Sequence, residues 1–212
     1  VPQSIEDLVK IVEGANSGNS RLKLVGGKHS YTHISSTDDT LIDLSCLSGY
    51  TDFLEVNIDS KTATIGGGMV LSEAVDRLES HGLHFPVFPN WFGQTVGGAI
   101  ATGAHGSSTD HGNLSDMIIE LEVLTAEGRI LHLKDGDPGM KAWRVHLGQL
   151  GVILKATFKL GSAFFLNCRV EQFEYADHGF QDMLKKVSDS NKRGTPYLDF
   201  TWFPYLGDYG HS

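Results

Sequence analysis

The sequence predicts an α+β fold, and three observations lead there. Helix-like and strand-like hydrophobic periods come in the order helix, strands, helix, strands, helix, strand, without the steady alternation of a doubly wound parallel sheet. Asp59-Ser60-Lys61 and Ala126-Glu127-Gly128 each separate two strand-like runs, as hairpin turns do. Glycine, 25 of 212 residues, falls in clusters, which mark loops and close backbone approaches rather than low complexity.

Each element has its own local reason. Ser4 and Asp7 form a capping signature, and Ile5, Leu8 and Val12 recur on one helical face behind it. Leu22–Val25 reads as a short strand entering the segment Val25-Gly26-Gly27-Lys28-His29-Ser30-Tyr31. Thr40–Leu44 alternates apolar and polar residues, as a half-buried strand does. Leu54–Ile58 and Thr62–Ile65 form the first hairpin, and Leu71, Ala74, Val75 and Leu78 the apolar face of a helix that Gly82 stops. A second glycine-rich segment, Gly93 to Ser108, precedes the hairpin Met117–Leu124 and Arg129–Leu133. A helix around Met140–Leu147 leads through Gly148-Gln149-Leu150-Gly151 into the strand Val152–Leu160. Near Gly161 the pattern restarts with a strand at Cys168–Tyr175, a helix at Phe180–Val187 and a strand at Tyr197–Phe203. Three elements are thin for an independent core. The expected organisation is therefore one domain over residues 1–160 and the opening of a second over 161–212.

Composition narrows the function. A formal charge of −9 argues against nucleic acid as a partner and gives no support to an anionic-membrane patch. No apolar run reaches membrane-spanning length, and no signal peptide is recognised. Val1 lies almost at a helix cap, so the chain reads as a processed product, a trimmed form or a fragment. Cys46 and Cys168 sit among apolar neighbours and read as two buried free thiols.

The glycine segments carry the chemistry. Successive N–H groups in such stretches form anion-binding concavities without a lysine cluster, so two of them suggest a bulky phosphate-bearing cofactor. Neither is a familiar nucleotide fingerprint. Leu22 stands where a Walker A loop needs its first glycine, and His29 follows Lys28 where Ser or Thr is required. No G-x-G-x-x-G opens a helix. Among the ten histidines, the pairs His29/His33, His81/His84 and His105/His111 have ligand-like spacing, but none sits in a metal frame, and no metal is expected. His81 and His84 read as a helix end and the loop after it, His111 as a loop residue. His29 is read either as a loop hydrogen-bonder or as a nucleophile or tether beside a cofactor.

Taken together, Gly26-Gly27-Lys28-His29-Ser30-Tyr31, Gly66-Gly67-Gly68 before a helix, Gly97 to Gly106, and Gly148-Gln149-Leu150-Gly151-Val152 resemble the two-subdomain, PCMH-type FAD-binding domain of the vanillyl-alcohol oxidase superfamily. The nearest branch is the sugar-oxidising one, with its alditol oxidases and its gulonolactone and other aldonolactone oxidases. Phe200-Thr201-Trp202-Phe203-Pro204-Tyr205 resembles an aromatic strand at the start of that branch's α+β substrate domain.

The resemblance implies FAD, attached covalently at His29 through the flavin 8α-methyl. It implies that Gly26, Gly27, Lys28, Ser30 and Tyr31 belong to the cofactor loop, with backbone amides around the pyrophosphate. Thr95, Gly98, Thr102, Gly103, Ala104 and His105 would line a second cofactor stretch, and Val152 would pack near the adenine. Asn90, after Phe88-Pro89, falls where an alditol oxidase has a substrate-contacting serine. The implied reaction moves a hydride from a C–H bearing a hydroxyl, on a sugar-derived polyol or aldonolactone, to the flavin, with dioxygen or another acceptor taking the electrons. An imidazolyl link raises the flavin's potential and so favours that transfer. The resemblance also implies a further strand before the first helix and a long substrate domain, whose later part holds most of the groups for the substrate. Only its opening lies in these 212 residues, so a completing chain or domain is expected, and the 212 residues alone are expected to self-associate and turn over little. Two rival readings stay open: a non-catalytic FAD-binding module, and a lactone dehydrogenase that excludes oxygen.

Overall fold

The computed structural model describes residues 1–170, 179–192 and 197–201, which separate into two units. The first unit, Val1–Gly106 with Gly112–Leu166, opens on α1 (Ile5–Ser17). The Ser4 hydroxyl accepts the Asp7 backbone N–H at 3.1 Å, satisfying one of the orphan donors of the first turn. Leu8 and Val12 are buried on one face, each contributing about 2 kcal/mol by leaving water. β1 (Leu22–Val25) and β2 (Thr40–Asp43) follow and pair in parallel, with Val25 opposite Asp43.

The rest of the unit is built on one antiparallel sheet. In chain order come β3 (Leu54–Asn57), β4 (Thr62–Gly66), α2 (Leu71–Glu79), β5 (Leu83–His84) and α3 (Val96–Ala101), then β6 (Ile118–Thr125), β7 (Ile130–Lys134), α4 (Met140–Arg144), β8 (Gly151–Lys159) and β9 (Gly161–Ser162). The sheet order is β3-β4-β8-β6-β7, with β5 and β9 forming a small separate pair. Both expected hairpins are present, as β3–β4 and β6–β7. Blocks of helix and an antiparallel sheet make the fold α+β, as expected.

The sheet's two faces serve two hydrophobic clusters. Leu71, Ala74 and Leu78 of α2, Val96, Ala99 and Ile100 of α3, and Met140 and Trp143 of α4 pack with Ile65, Val123, Ile153 and Phe158. Leu8 and Val12 of α1 pack with Ile42, Leu47, Leu124, Val152 and Leu154. Alternation along a strand separates such residues onto opposite faces. β8 needs one correction to its phase. Glu122 pairs with Lys155 while Val123 pairs with Ile153, so Leu154 is the extra residue of a bulge. The bulge keeps Ile153, Ala156 and Phe158 in the same cluster despite their odd and even positions.

The bulge is also where the backbones come closest. Gly67 donates its N–H to the Leu154 carbonyl at 2.7 Å, and its own carbonyl accepts the Gly97 N–H at 2.8 Å. A Cβ on Gly67 would overlap the Ile153 carbonyl oxygen, and one on Gly97 would lie 3.0 Å from the Gly67 oxygen. These glycines let β8, the turn after β4 and the start of α3 stack as three layers of bare backbone.

Several local expectations are corrected. Both cysteines are exposed rather than buried. Cys46 lies in the turn after β2, where Leu47 takes the interior position. Apolar neighbours do not set burial where the chain has no period. His84 lies in β5 rather than a loop. The third helix is shorter than expected: α4 ends at Arg144, and Leu147 turns to φ 54°. The last hairpin's first strand starts at Ile118, because Leu114–Met117 forms a capped 3-10 turn. Gly82, at φ 69°, does end the stretch after α2.

The second unit comprises Ser107–His111 and the described residues from Asn167 on. It contains α5 (Gly179–Lys192), longer than the helix expected at Phe180–Val187, and a bridge between Ser108 and Tyr197. The strand expected at Cys168–Tyr175 falls mostly outside the described residues, and 168–170 are not in a strand. Of the strand expected at Tyr197–Phe203, the part beyond 201 also lies outside them.

The backbone crossing makes a direct prediction. Gly67→Ala forces either β8 or α3 to move, and overpacking of this kind costs about 3 kcal/mol. Gly14→Ala, with nothing within 4 Å of the added carbon, serves as the control. A parent-like urea midpoint for Gly67→Ala, with Gly14→Ala at or above the parent, would show that the crossing has slack.

Candidate functional site

The two glycine segments, some sixty residues apart in sequence, meet in space. A Cβ on Gly26 would overlap the Thr95 hydroxyl, and one on Gly27 would overlap the Gly93 carbonyl oxygen. The segment 92–97 reaches this place because it is pinned along the start of α2: the Leu71 N–H bonds the Gln94 carbonyl at 2.8 Å, the Ser72 N–H bonds the Phe92 carbonyl at 3.1 Å, and the Val96 N–H bonds the Met69 carbonyl at 2.9 Å. The Gly26 loop reaches it because it leaves the end of β1. Thr95 caps α3, its hydroxyl accepting the Gly98 N–H at 3.3 Å.

His29 stands at this junction. Its ring meets Trp91 edge-on, with centroids 5.2 Å apart and planes at 67°. A Cβ on Gly93 would lie 2.6 Å from His29 Nε2 and 3.0 Å from Trp91 Nε1. Among the described residues, the backbone N–H groups from Gly26 to Ser30 donate to no protein acceptor. Five adjacent donors without partners, at the surface and beside glycines that allow close approach, are suited to an anion. The one cation of the loop is Lys28, which sits at φ 60° and pairs with Asp43 at 3.0 Å. The Ser45 backbone N–H, bonded to Asp43 at 2.9 Å, and then Lys28 hold that carboxyl below its usual range, so the pair is charged at neutral pH.

The other expected residues are distributed more widely. Thr95 and Gly98 lie at the start of α3 beside Gly26, and on Gly98 a Cβ would meet only the Thr95 hydroxyl, at 3.0 Å. Thr102, Gly103, Ala104 and His105 lie at the far end of the six-residue α3, about 9 Å away. There they have local roles. The Gly103 N–H bonds the Ile100 carbonyl and the Ala104 N–H the Ala99 carbonyl, with Gly103 at φ 65°, a Schellman cap. Thr102 donates its hydroxyl to the Gly98 carbonyl at 2.9 Å, and His105 Nδ1 lies 2.9 Å from the Gly106 carbonyl. Val152 lines a cleft of about 200 Å³ between α1, β1 and the ends of β6 and β8, with Gly148 and Gln149 on its rim. Tyr31 is fully exposed, and Asn90 is exposed on the segment leading to Trp91.

Trp91 and Gly93 as walls of the His29 ring were not foreseen. Their signal was present, since both flank the start of the second glycine segment, but spacing alone does not pair them with a histidine sixty residues earlier. Among the described residues, no group of three His, Cys, Asp or Glu could hold a metal, and no helix is long and apolar enough to cross a membrane.

His146 lies behind α3. It is 7% exposed and stacks edge-on against Trp143 at 5.1 Å, and neither ring nitrogen has a partner. The next residue, Leu147, donates its N–H to the Ala101 carbonyl at 2.9 Å and so closes the end of α3. Burial pushes the imidazole down from 6.5 to about 4. In the unfolded chain the ring protonates first, so this group makes stability fall as pH drops through 6.5 towards about 4. The loss approaches about 3 kcal/mol at about 1.4 kcal/mol per unit. His146→Leu should flatten urea-derived stability between pH 7 and pH 4; parallel curves for variant and parent would rule the group out.

Comparison with known proteins bears on the same segments. The model of a family described as FAD binding domain matches residues 1–134, which include both glycine loops, α2 and α3. The chain is 34% identical over 209 residues to L-gulonolactone oxidase from Bos taurus, covering 96% of this chain and 45% of that protein. It is 31% identical over 208 residues to D-arabinono-1,4-lactone oxidase from Candida glabrata, covering 96% of this chain and 38% of that one. It is 31% identical over 204 residues to L-gulono-1,4-lactone dehydrogenase from Mycobacterium tuberculosis, covering 96% and 45% respectively. The chain thus spans less than half the length of each relative. With the family model matched over more than half of its residues, and with partnerless loop amides suited to a pyrophosphate, the chain belongs to the FAD-binding domain family.

Proposed function

We propose that this chain is the cofactor-holding part of an oxidoreductase that oxidises a hydroxyl-bearing carbon of a sugar-derived lactone, with dioxygen as the electron acceptor. The observation that carries the reading is the meeting of the two glycine loops at His29, with the partnerless amides of Gly26–Ser30 on one side and Gly93–Thr95 on the other. The flavin, when bound, supplies the hydride-accepting chemistry; the protein supplies binding and orientation. Gly26, Gly27, Lys28 and Ser30 hold the pyrophosphate through backbone N–H groups. Gly98 leaves space beside the capped start of α3. His29 is the attachment point. The cleft lined by Val152, Gly148 and Gln149 offers apolar contacts to the faces of the flat adenine and polar ones to its edge. Asn90 contacts the substrate from the segment that leads into the second loop. The relatives' names favour a lactone over an open-chain polyol.

A second reading concerns the acceptor. One relative is named a dehydrogenase, with identity similar to that of a fungal oxidase, so a lactone dehydrogenase slow towards oxygen is the alternative. Anaerobic mixing of the full-length protein with a panel of aldonolactones and polyols tests the reaction itself: bleaching of the flavin band by a lactone supports it, and no bleaching by any member leaves a binding module. Admitting air then separates the acceptors, since an oxidase recovers its yellow colour in seconds and a dehydrogenase does not.

Two variants test the cofactor site. Acid precipitation of the full-length protein should leave yellow colour in the pellet, and His29→Ala should release it to the supernatant; native flavin that washes out completely would end the tether reading. Gly98→Val places two methyl groups in the space assigned to the cofactor, at about 1–3 kcal/mol. Flavin content should fall with little loss of far-UV signal. Full occupancy would remove α3 from the site.

A further inference from the structure

We propose that Trp91 is a positioning residue for His29, holding its imidazole in the orientation from which it bonds to the flavin; this rests on the tether reading above. Among the described residues, neither nitrogen of the His29 ring makes a hydrogen bond, so packing alone orients it. Three groups do the packing. A Cβ on Gly93 would lie 2.6 Å from Nε2 and 3.3 Å from Cδ2, and one on Gly27 would lie 2.9 Å from Cδ2. The Nε2–Cδ2 edge of the ring is therefore turned onto a wall that only glycine allows. Trp91 closes a further side with its indole edge-on at 5.2 Å. The glycines leave room, and room alone does not select a rotamer. The bulky wall that does so is Trp91.

Trp91 is itself 59% exposed, so its indole keeps surface open to solvent beside the edge contact with His29. It belongs to a segment whose backbone is held: the Trp91 carbonyl accepts the Gln94 side-chain amide at 3.1 Å, and the next residue bonds Ser72. The indole thus stands on a segment whose backbone is pinned, while His29 lies on an exposed loop beside a left-handed Lys28. A ring carried on a pinned backbone can limit the angles open to one carried on an exposed loop.

The bond-forming step balances as follows. A carbon–nitrogen bond forms between an imidazole nitrogen and the flavin 8α carbon. One C–H of that methyl and one imidazole N–H are broken. The two electrons and two protons pass to dioxygen, giving hydrogen peroxide. The step depends on the angle at which the imidazole meets the methyl group, and a freely turning ring spends less time at that angle.

The test uses the full-length chain, produced without riboflavin and then mixed with FAD in air. Acid-precipitable flavin is followed over time in the parent, Trp91→Leu, Trp91→Phe and His29→Ala, with total bound flavin measured by gel filtration. Trp91→Leu should bind FAD normally but form the tether about five-fold more slowly, the scale of one lost edge-on ring contact. Trp91→Phe, which restores an aromatic wall, should recover most of the rate. Parent-like tethering in Trp91→Leu would overturn the proposal, and so would Trp91→Leu and Trp91→Phe losing total flavin together, since that marks a structural role. A parent that binds FAD but never tethers it would overturn the His29 reading first and this inference with it, and the parent arm identifies that case.

Discussion

The backbone of Gly67 passes between β8 and α3 at separations that admit no side chain on either side. It bonds the bulge of β8 through its N–H and the second residue of α3 through its carbonyl. That pair of bonds fixes the height of α3 above the sheet. The loop before α3 then has little freedom, since it is also stitched to the start of α2 by three backbone bonds. The wall facing the Gly26 loop is therefore placed by the backbone bonds that run from β8 through Gly67 to α3. A regular β8, without its bulge, would put Ala156 and Phe158 on the face opposite Ile153, out of phase with the cluster they share.

From that crossing the site follows in steps. Gly93 and Thr95 come to rest against Gly27 and Gly26 because both chains are bare there. The Gly26 loop is free to aim its amides outward because β2 pairs with β1 only as far as Val25. Lys28 is drawn aside to Asp43, so the loop's cation lies beside the amide row rather than across it. The result is a row of partnerless backbone N–H groups beside a single ion-paired lysine. An acidic protein can hold a pyrophosphate in this way without a basic patch.

Much of this was legible from the residues. The α1 cap, both hairpins, the face of α2 and the stop at Gly82 are local signals, set by side chains within a few positions of each other. The two glycine segments were legible as loops with a shared purpose. What stayed hidden was long-range. Gly67 and Gly97 stand in two of the quoted glycine motifs, but their stacking on each other is not written there, and Trp91 looks like a surface aromatic until His29 is set beside it. The helix expected to reach Leu147 ends at Arg144 because Arg144 is tied to the Ile118 carbonyl at 2.8 Å and Asp135 at 2.9 Å, and Leu147 is recruited to close α3 instead. Such tertiary ties override a local helical pattern. The cysteines misled for the opposite reason: a turn has no period, so apolar company carries no information about which residue points inward.

The two hydrophobic clusters divide the site between them. The Gly26 loop extends from β1, whose Leu22 and Leu24 pack on the α1 side of the sheet. The Gly93–Thr95 wall runs into α3, whose side chains pack on the other side. A ligand seated between the loops would bridge two blocks, one built on each cluster, whether or not His29 also bonds to it. Its binding free energy does not merely add to the native state; it couples the melting of one block to that of the other. Without a ligand the two clusters are joined through the sheet that they share. A cofactor held by both loops would in this sense support the fold that holds it, making one cooperative unit of two.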